Sequence, residues 1–242
     1  MYNIILSYWL RSKRTPVRLM IILCPLIFSL VYGIYAISTN GLVGKEFDVF
    51  FCIYTILANF SISFFIPTVY EIDKSAGNYA KDLRCGLSRT KIFLSKFFYI
   101  SILLFIIELI AVFIMGLLVF SRVNMEYIRM IIYFMIGLVM LFPMIPMYQC
   151  LSLKFGFSGS ILVGTFLTLL GILLGTTDLG KIIWYLFPFV WPIKLVFAYT
   201  KRDISDYFVL IFLIVSVIIT AFFIGVFSSW YNKWDGMNRM EE

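Results

Sequence analysis

Apolar residues run along this chain in long blocks, and most charged residues fall in the gaps between them. Six blocks are free of charge, or nearly so, over the ~20 residues that a helix needs to cross a bilayer. The first covers residues 19–38, and the second fills the gap between Asp48 and Glu71. The third lies between Lys96 and Arg122 and holds one charge, Glu108. The fourth lies between Arg129 and Lys154, the fifth between Lys154 and Asp178, and the sixth runs from Tyr207 to Trp230. A further apolar stretch, residues 182–193, has only 12 residues and contains Pro188 and Pro192. It is too short to cross, so it predicts a re-entrant or interfacial segment. The pattern predicts an all-α, polytopic membrane protein with six transmembrane helices. Residues 1–242 form one transmembrane domain, with an N-terminal interfacial helix, an inner loop at 71–96 and an outer segment at 178–206.

Residues 1–15 differ from the blocks that follow. Asn3, Ser7, Arg11 and Arg14 share one helical face, while Tyr2, Ile5, Leu6 and Trp9 line much of the rest. A basic amphipathic helix of this kind lies in the plane of the inner membrane surface. Thr15-Pro16 ends it, and Pro16 suits the first position of the next helix.

Composition supports the class. Of 242 residues, 62% are hydrophobic and 14% are charged, against about 25% charged in a soluble domain. No soluble interior accommodates so much apolar surface, and disorder is excluded for the same reason. The chain has no His. That excludes Ser-His hydrolases, His-ligated zinc enzymes and haem proteins with His axial ligands. Cys24, Cys52, Cys85 and Cys150 form no C-x-x-C pair, so neither a metal site nor a cofactor is expected in this chain. No disulfide is expected either, because Cys85 and Cys150 fall in or near reducing cytoplasm and the other two in the membrane. The first apolar block is long enough to span and lacks a small-residue cleavage site, so no cleavable signal peptide is expected.

The net charge of +7 changes the picture only through its placement. Six crossings put both ends on one side, and thirteen of the twenty Lys and Arg residues fall on that side. Both termini are therefore expected in the cytoplasm. Nucleic-acid binding is not implied. The inner loop, EIDKSAGNYAKDLRCGLSRTKIFLSK, is the one sizeable polar stretch on that side. Gly77 and Gly86 break it, Ser88 suits a helix N-cap, and Tyr79, Leu83 and Leu87 give it apolar contacts for docking a cytoplasmic partner. The outer segment holds Trp184, Tyr185, Phe187, Phe189 and Trp191, an aromatic belt or a surface for an amphiphile.

Other motifs carry less. GTTDLGK at residues 175–181 fits a phosphate-binding loop until Ile182 replaces the required Ser or Thr, and it lies outside. Asn59-Phe60-Ser61 sits inside a span and cannot be glycosylated. Ser160, Gly164, Gly171 and Gly175 place small residues on the fifth span, where they permit close helix approach. The five methionines of the fourth span, Met130 to Met147, offer an adaptable surface or ordinary contacts. Glu108 needs protein around it, a polar partner or a proton. Asn59 and Thr165 fall at its depth. The three form either a polar point in a substrate path or a hydrogen bond clamping helices.

Three features together resemble the ABC-2-type permeases, and within them the lantibiotic-immunity branch. They are SKRTP at residues 12–16 with an apolar span containing Pro25, Glu71 followed by Ala76-Gly77-Asn78, and Ser88-Arg89-x-Lys91 with Lys96. Gly86 stands where a Pro often precedes the Ser-Arg pair. The RTP and AGNY stretches lean toward the G-type subunit of that branch. The resemblance implies a non-enzymatic permease, with ATP and Mg bound on a separate ABC ATPase dimer. It implies a second, homologous permease subunit, contact with membrane lipid and a cationic antimicrobial peptide as substrate. It implies ATPase coupling through Glu71, Gly77, Asn78, Lys81, Leu83, Arg84, Leu87 and Arg89. The expected substrate path adds Trp184, Tyr185 and Trp191 to Asn59, Glu108 and Thr165. A drug or lipid exporter, or a membrane scaffold, are the alternatives.

Overall fold

A computed structural model describes residues 2–39, 44–77, 79, 82, 86–119 and 127–234. All regular structure in the described residues is helical: α1 (Tyr2–Arg11), α2 (Pro16–Ser38), α3 (Glu46–Ser75), α4 (Arg89–Val119), α5 (Tyr127–Val139), α6 (Met144–Thr176), α7 (Trp191–Thr200) and α8 (Asp206–Asn232). Short 3-10 turns occupy Ser12–Arg14, Asp178–Gly180 and Ile183–Leu186. Five stretches are long and apolar enough to cross a membrane: Pro16–Ser38, Glu46–Ser75, Arg89–Val119, Ile128–Thr176 and Asp206–Asn232. The protein is a polytopic helical membrane protein.

The expected fourth and fifth spans fall within one stretch, Ile128–Thr176, of 49 residues. It is not a straight rod. Pro143 has no N–H to give Val139, the residue four back, and the helix breaks over residues 140–143. The Val139 carbonyl that Pro143 leaves open accepts from the Phe142 N–H at 3.2 Å and from the Ser216 hydroxyl of α8 at 2.8 Å. Freed backbone groups inside a bilayer need such partners. Ser216→Ala should therefore lower thermal stability by about 0.6 kcal/mol, and at most ~1.7. A melting curve identical to wild type would show that the Phe142 N–H suffices.

Gly156 makes the second break. Its φ of 67° and ψ of −160° lie in a region open essentially only to glycine. The chain reverses there. The hydroxyls of Ser152 and Ser160 meet at 3.2 Å, whereas eight residues of straight helix separate two atoms by about 12 Å. Lys74 Nζ lies 3.9 Å from where a Gly156 Cβ would be, so the reversal sits at the end of the bundle that holds the C-terminus of α3.

The second half of α6 packs along α3, the most extensive helix pair in the structure. The small-residue stripe permits it. A Cβ on Gly164 would fall 1.9 Å from Ser63 Cβ, and one on Gly175 would fall 2.8 Å from Ile193 of α7. At the far end of α3, Asp48 pairs with Arg129 at 3.1 Å and accepts from the Tyr133 hydroxyl at 2.7 Å. Tyr133 also meets Thr200 at 3.0 Å, so this contact ties α3, α5 and α7 together.

Candidate functional site

The expected coupling loop joins α3 to α4. Asn78, Lys81, Leu83 and Arg84 lie outside the described residues. The same loop and the helices it joins hold a buried charge cluster that the sequence pattern did not expose. Lys96, on the second turn of α4, is buried. Its Nζ lies 2.8 Å from Asp73 Oδ2, at the end of α3, and 2.6 Å from Asp82 Oδ2, in the loop. Arg11, on the last turn of α1, reaches Asp73 at 2.9 Å and Asp82 at 3.7 Å. Among the described residues, two cations meet two carboxylates. A buried charge is tolerated only when paired in this way.

Aromatic rings complete the enclosure. Lys96 Nζ sits 4.4 Å from the Tyr70 ring centre, 5.4 Å from Tyr8 and 5.8 Å from Tyr79. Burial pushes the Tyr8 and Tyr79 phenols well above their ordinary range, against the pull of Lys96. They stay neutral, so they add no charge to the cluster. Tyr79 holds a left-handed backbone, φ 61°, and its N–H bonds the Asp73 carbonyl at 3.2 Å. Gly77, with φ 125°, makes the preceding turn possible.

This alters three expectations. Tyr79, expected as an apolar docking contact, is buried, with its ring 5.5 Å from Trp234, and serves the interior. Lys96 was read as an inner-surface charge leading into a span, yet it is enclosed. Arg11 belongs to the polar face of α1, but that face turns toward the bundle at this position. The opposite side of α1 exposes Tyr2, Leu6, Trp9 and Leu10. Of the other coupling candidates, Glu71 is half-buried on α3 and Leu87 is exposed. Arg89 donates to the carbonyls of Asn232 and Trp234 at 3.0 and 2.6 Å, tying the start of α4 to the end of α8. Ser88 immediately precedes α4, and its carbonyl accepts the Lys91 and Ile92 N–H groups.

The expected substrate-path residues do not converge. Asn59 is buried, and its Nδ2 donates to the Phe189 carbonyl at 2.9 Å. Thr165 is exposed, and its hydroxyl bonds Ile161 of its own helix at 2.8 Å. Glu108 is buried, and its Oε1 has no hydrogen-bond partner among the described residues. Trp184 and Trp191 are buried rather than displayed. Trp184 stacks on Phe212 at 5.0 Å, and Trp191 Nε1 donates to the carbonyls of Trp184 and Tyr185 at 3.1 and 3.2 Å. Replacing either would disturb packing as well as any recognition. Of these three rings only Tyr185 is exposed, beside Ile182 and Leu186.

Asp73 and Asp82 were missed because each looked like an ordinary solvated loop charge. The available signal was Lys96 itself, placed five residues beyond Lys91 where α4 has already turned apolar. Comparison with protein-family models, with curated proteins and with solved structures gives no match to this chain.

Proposed function

We propose that this chain is the permease subunit of an ABC-2-type exporter that expels a cationic antimicrobial peptide from the cell membrane. ATP and Mg would act on a separate ATPase dimer, and a second, homologous permease would complete the transporter. The reading includes six crossings and cytoplasmic termini, and the reversal at Gly156, which divides Ile128–Thr176 into two passes, supports that count. The contact between Asn59, on the fourth turn of α3, and Phe189 supports a re-entrant outer segment.

One observation carries the coupling role. The loop is anchored at Asp73, Asp82 and Lys96, and through Arg11 the anchor includes α1. A force on this loop has a rigid path into α1, α3 and α4 together. An exporter driven by a separate ATPase needs such a connection, and a passive connector does not. The RTP, AGN and SR-x-K stretches that carry the resemblance flank the same anchor.

The test is recovery of the complex. Purification of the tagged chain from mildly solubilised membranes should retain an ABC ATPase and a second permease. Lys81→Glu, Arg84→Glu and Leu83→Asp should reduce ATPase recovery and peptide resistance while leaving membrane insertion intact. Unchanged recovery and resistance in all three variants would reject the coupling role.

A further inference from the structure

Glu108, whose buried Oε1 has no hydrogen-bond partner among the described residues, lines a cavity in the middle of the bundle. It lies about 18 Å along α4 from Lys96, at 1.5 Å per residue. The cavity holds about 310 Å³ between α2, α3 and α4, within the range of small-ligand pockets. Its wall includes the rings of Phe28, Tyr54, Phe60, Phe64 and Phe65. Cys24, Leu57 and Phe60 on its rim are exposed on the flank of the bundle, so it opens sideways between α2 and α3. Gly137 of α5 backs the carboxyl; a Cβ there would fall 2.1 Å from Oε1. The absence of that Cβ leaves the carboxyl its place.

We propose that this cavity binds a monovalent lipophilic cation that enters from the lipid phase and sets its charge against Glu108. Charge complementarity selects the occupant. Among the described residues Glu108 is the only charged one lining the cavity; Tyr54 and Cys24 are the other titratable groups there, and neither supplies a cation. An isolated carboxylate at this depth is costly, and a bound cation removes that cost. Aromatic faces add attraction for a cation that is already desolvated. A neutral lipid chain gains only the apolar contacts, and a peptide exceeds the volume. The inference stands apart from the exporter reading, because it needs neither an ATPase nor a second permease.

The probe is tetraphenylphosphonium, a permanent cation, set against triphenylphosphine oxide, a neutral molecule with similar rings. The purified full chain in nanodiscs should bind the labelled cation saturably, one per chain, at least tenfold tighter than the oxide. The cation should also raise its melting temperature. Glu108→Gln should lose the tenfold preference and keep its own melting temperature. Ala58→Phe, which fills the cavity from α3, should abolish binding of both probes. If the Gln variant fails to fold, the charge preference of the wild-type chain and the Ala58→Phe result still decide. Absence of saturable binding, equal affinity for cation and oxide, or cation binding unaffected by Ala58→Phe would each overturn the proposal. Equal cation affinity in folded wild-type and Gln chains would identify an apolar lipid groove instead.

Discussion

Lys96→Met should destabilise the protein by about 3–5 kcal/mol, the usual cost of removing one partner from a buried ion pair. Methionine fills a similar volume, so the loss is mainly electrostatic. Asp73 and Asp82 would remain enclosed without the cation nearest to both, and Arg11 reaches Asp82 only at 3.7 Å. Their repulsion should release the loop from α4 and expose Tyr79. The measurement is thermal unfolding of the purified protein, with limited proteolysis across the loop. Adding Asp82→Asn should recover part of the loss, because it removes one of the two buried carboxylates that Lys96 contacts. A Lys96→Met protein that melts with the wild type and resists protease equally would show that the cluster is not an anchor. If the coupling proposal holds as well, the variant should lose resistance even at temperatures where it stays folded.

Gly164→Leu should separate the most extensive helix pair in the molecule. A Cβ at Gly164 meets Ser63 Oγ at 2.2 Å and its Cβ at 1.9 Å, the Cβ being fixed one bond from the α3 backbone. Rotamer changes cannot relieve a Cβ–Cβ overlap, so α3 and α6 must move apart. Overpacking of this kind costs about 1–3 kcal/mol, and Leu should sit at the upper end. Gly164→Ala isolates the Cβ itself. Ser63→Gly on that background should restore much of the stability, because it removes the opposing atoms; no recovery in the double variant would place the strain elsewhere. Gly171 is a poorer test, since its nearest neighbour is the flexible end of Ile193.

Much of the architecture was legible in the pattern of residues. Blocks of apolar residues long enough to cross a bilayer have few other stable outcomes, so the membrane class followed directly. Pro16 opens α2 where the pattern placed it. The charged gap at Lys154 lies two residues from the reversal at Gly156, and the stripe from Ser160 to Gly175 faces close neighbours. These signals are local. A proline withholds a donor, a glycine admits a positive φ and a small side chain permits approach, wherever they stand.

Tertiary structure alone decided which groups meet. Asn59 and Thr165 were placed at the depth of Glu108 by counting residues, but depth does not say which way a side chain points. In a membrane helix both the lipid face and the packed face are apolar, so periodicity does not separate them. Thus Asn59 finds the Phe189 carbonyl, Thr165 faces outward and Glu108 lines a cavity. Trp184 and Trp191 looked like interface residues by composition, yet the turn between them folds both rings inward. The charge cluster depends on the same kind of information. Arg11, Asp73, Asp82 and Lys96 come from three helices and a loop, with no fixed spacing to announce them. Sequence determined that this chain enters a membrane and where its charged gaps fall, but the breaks at residues 140–143 and at Gly156 emerged only in the fold. The fold determined which charges are neutralised, because pairing acts through space and is strongest where water is excluded.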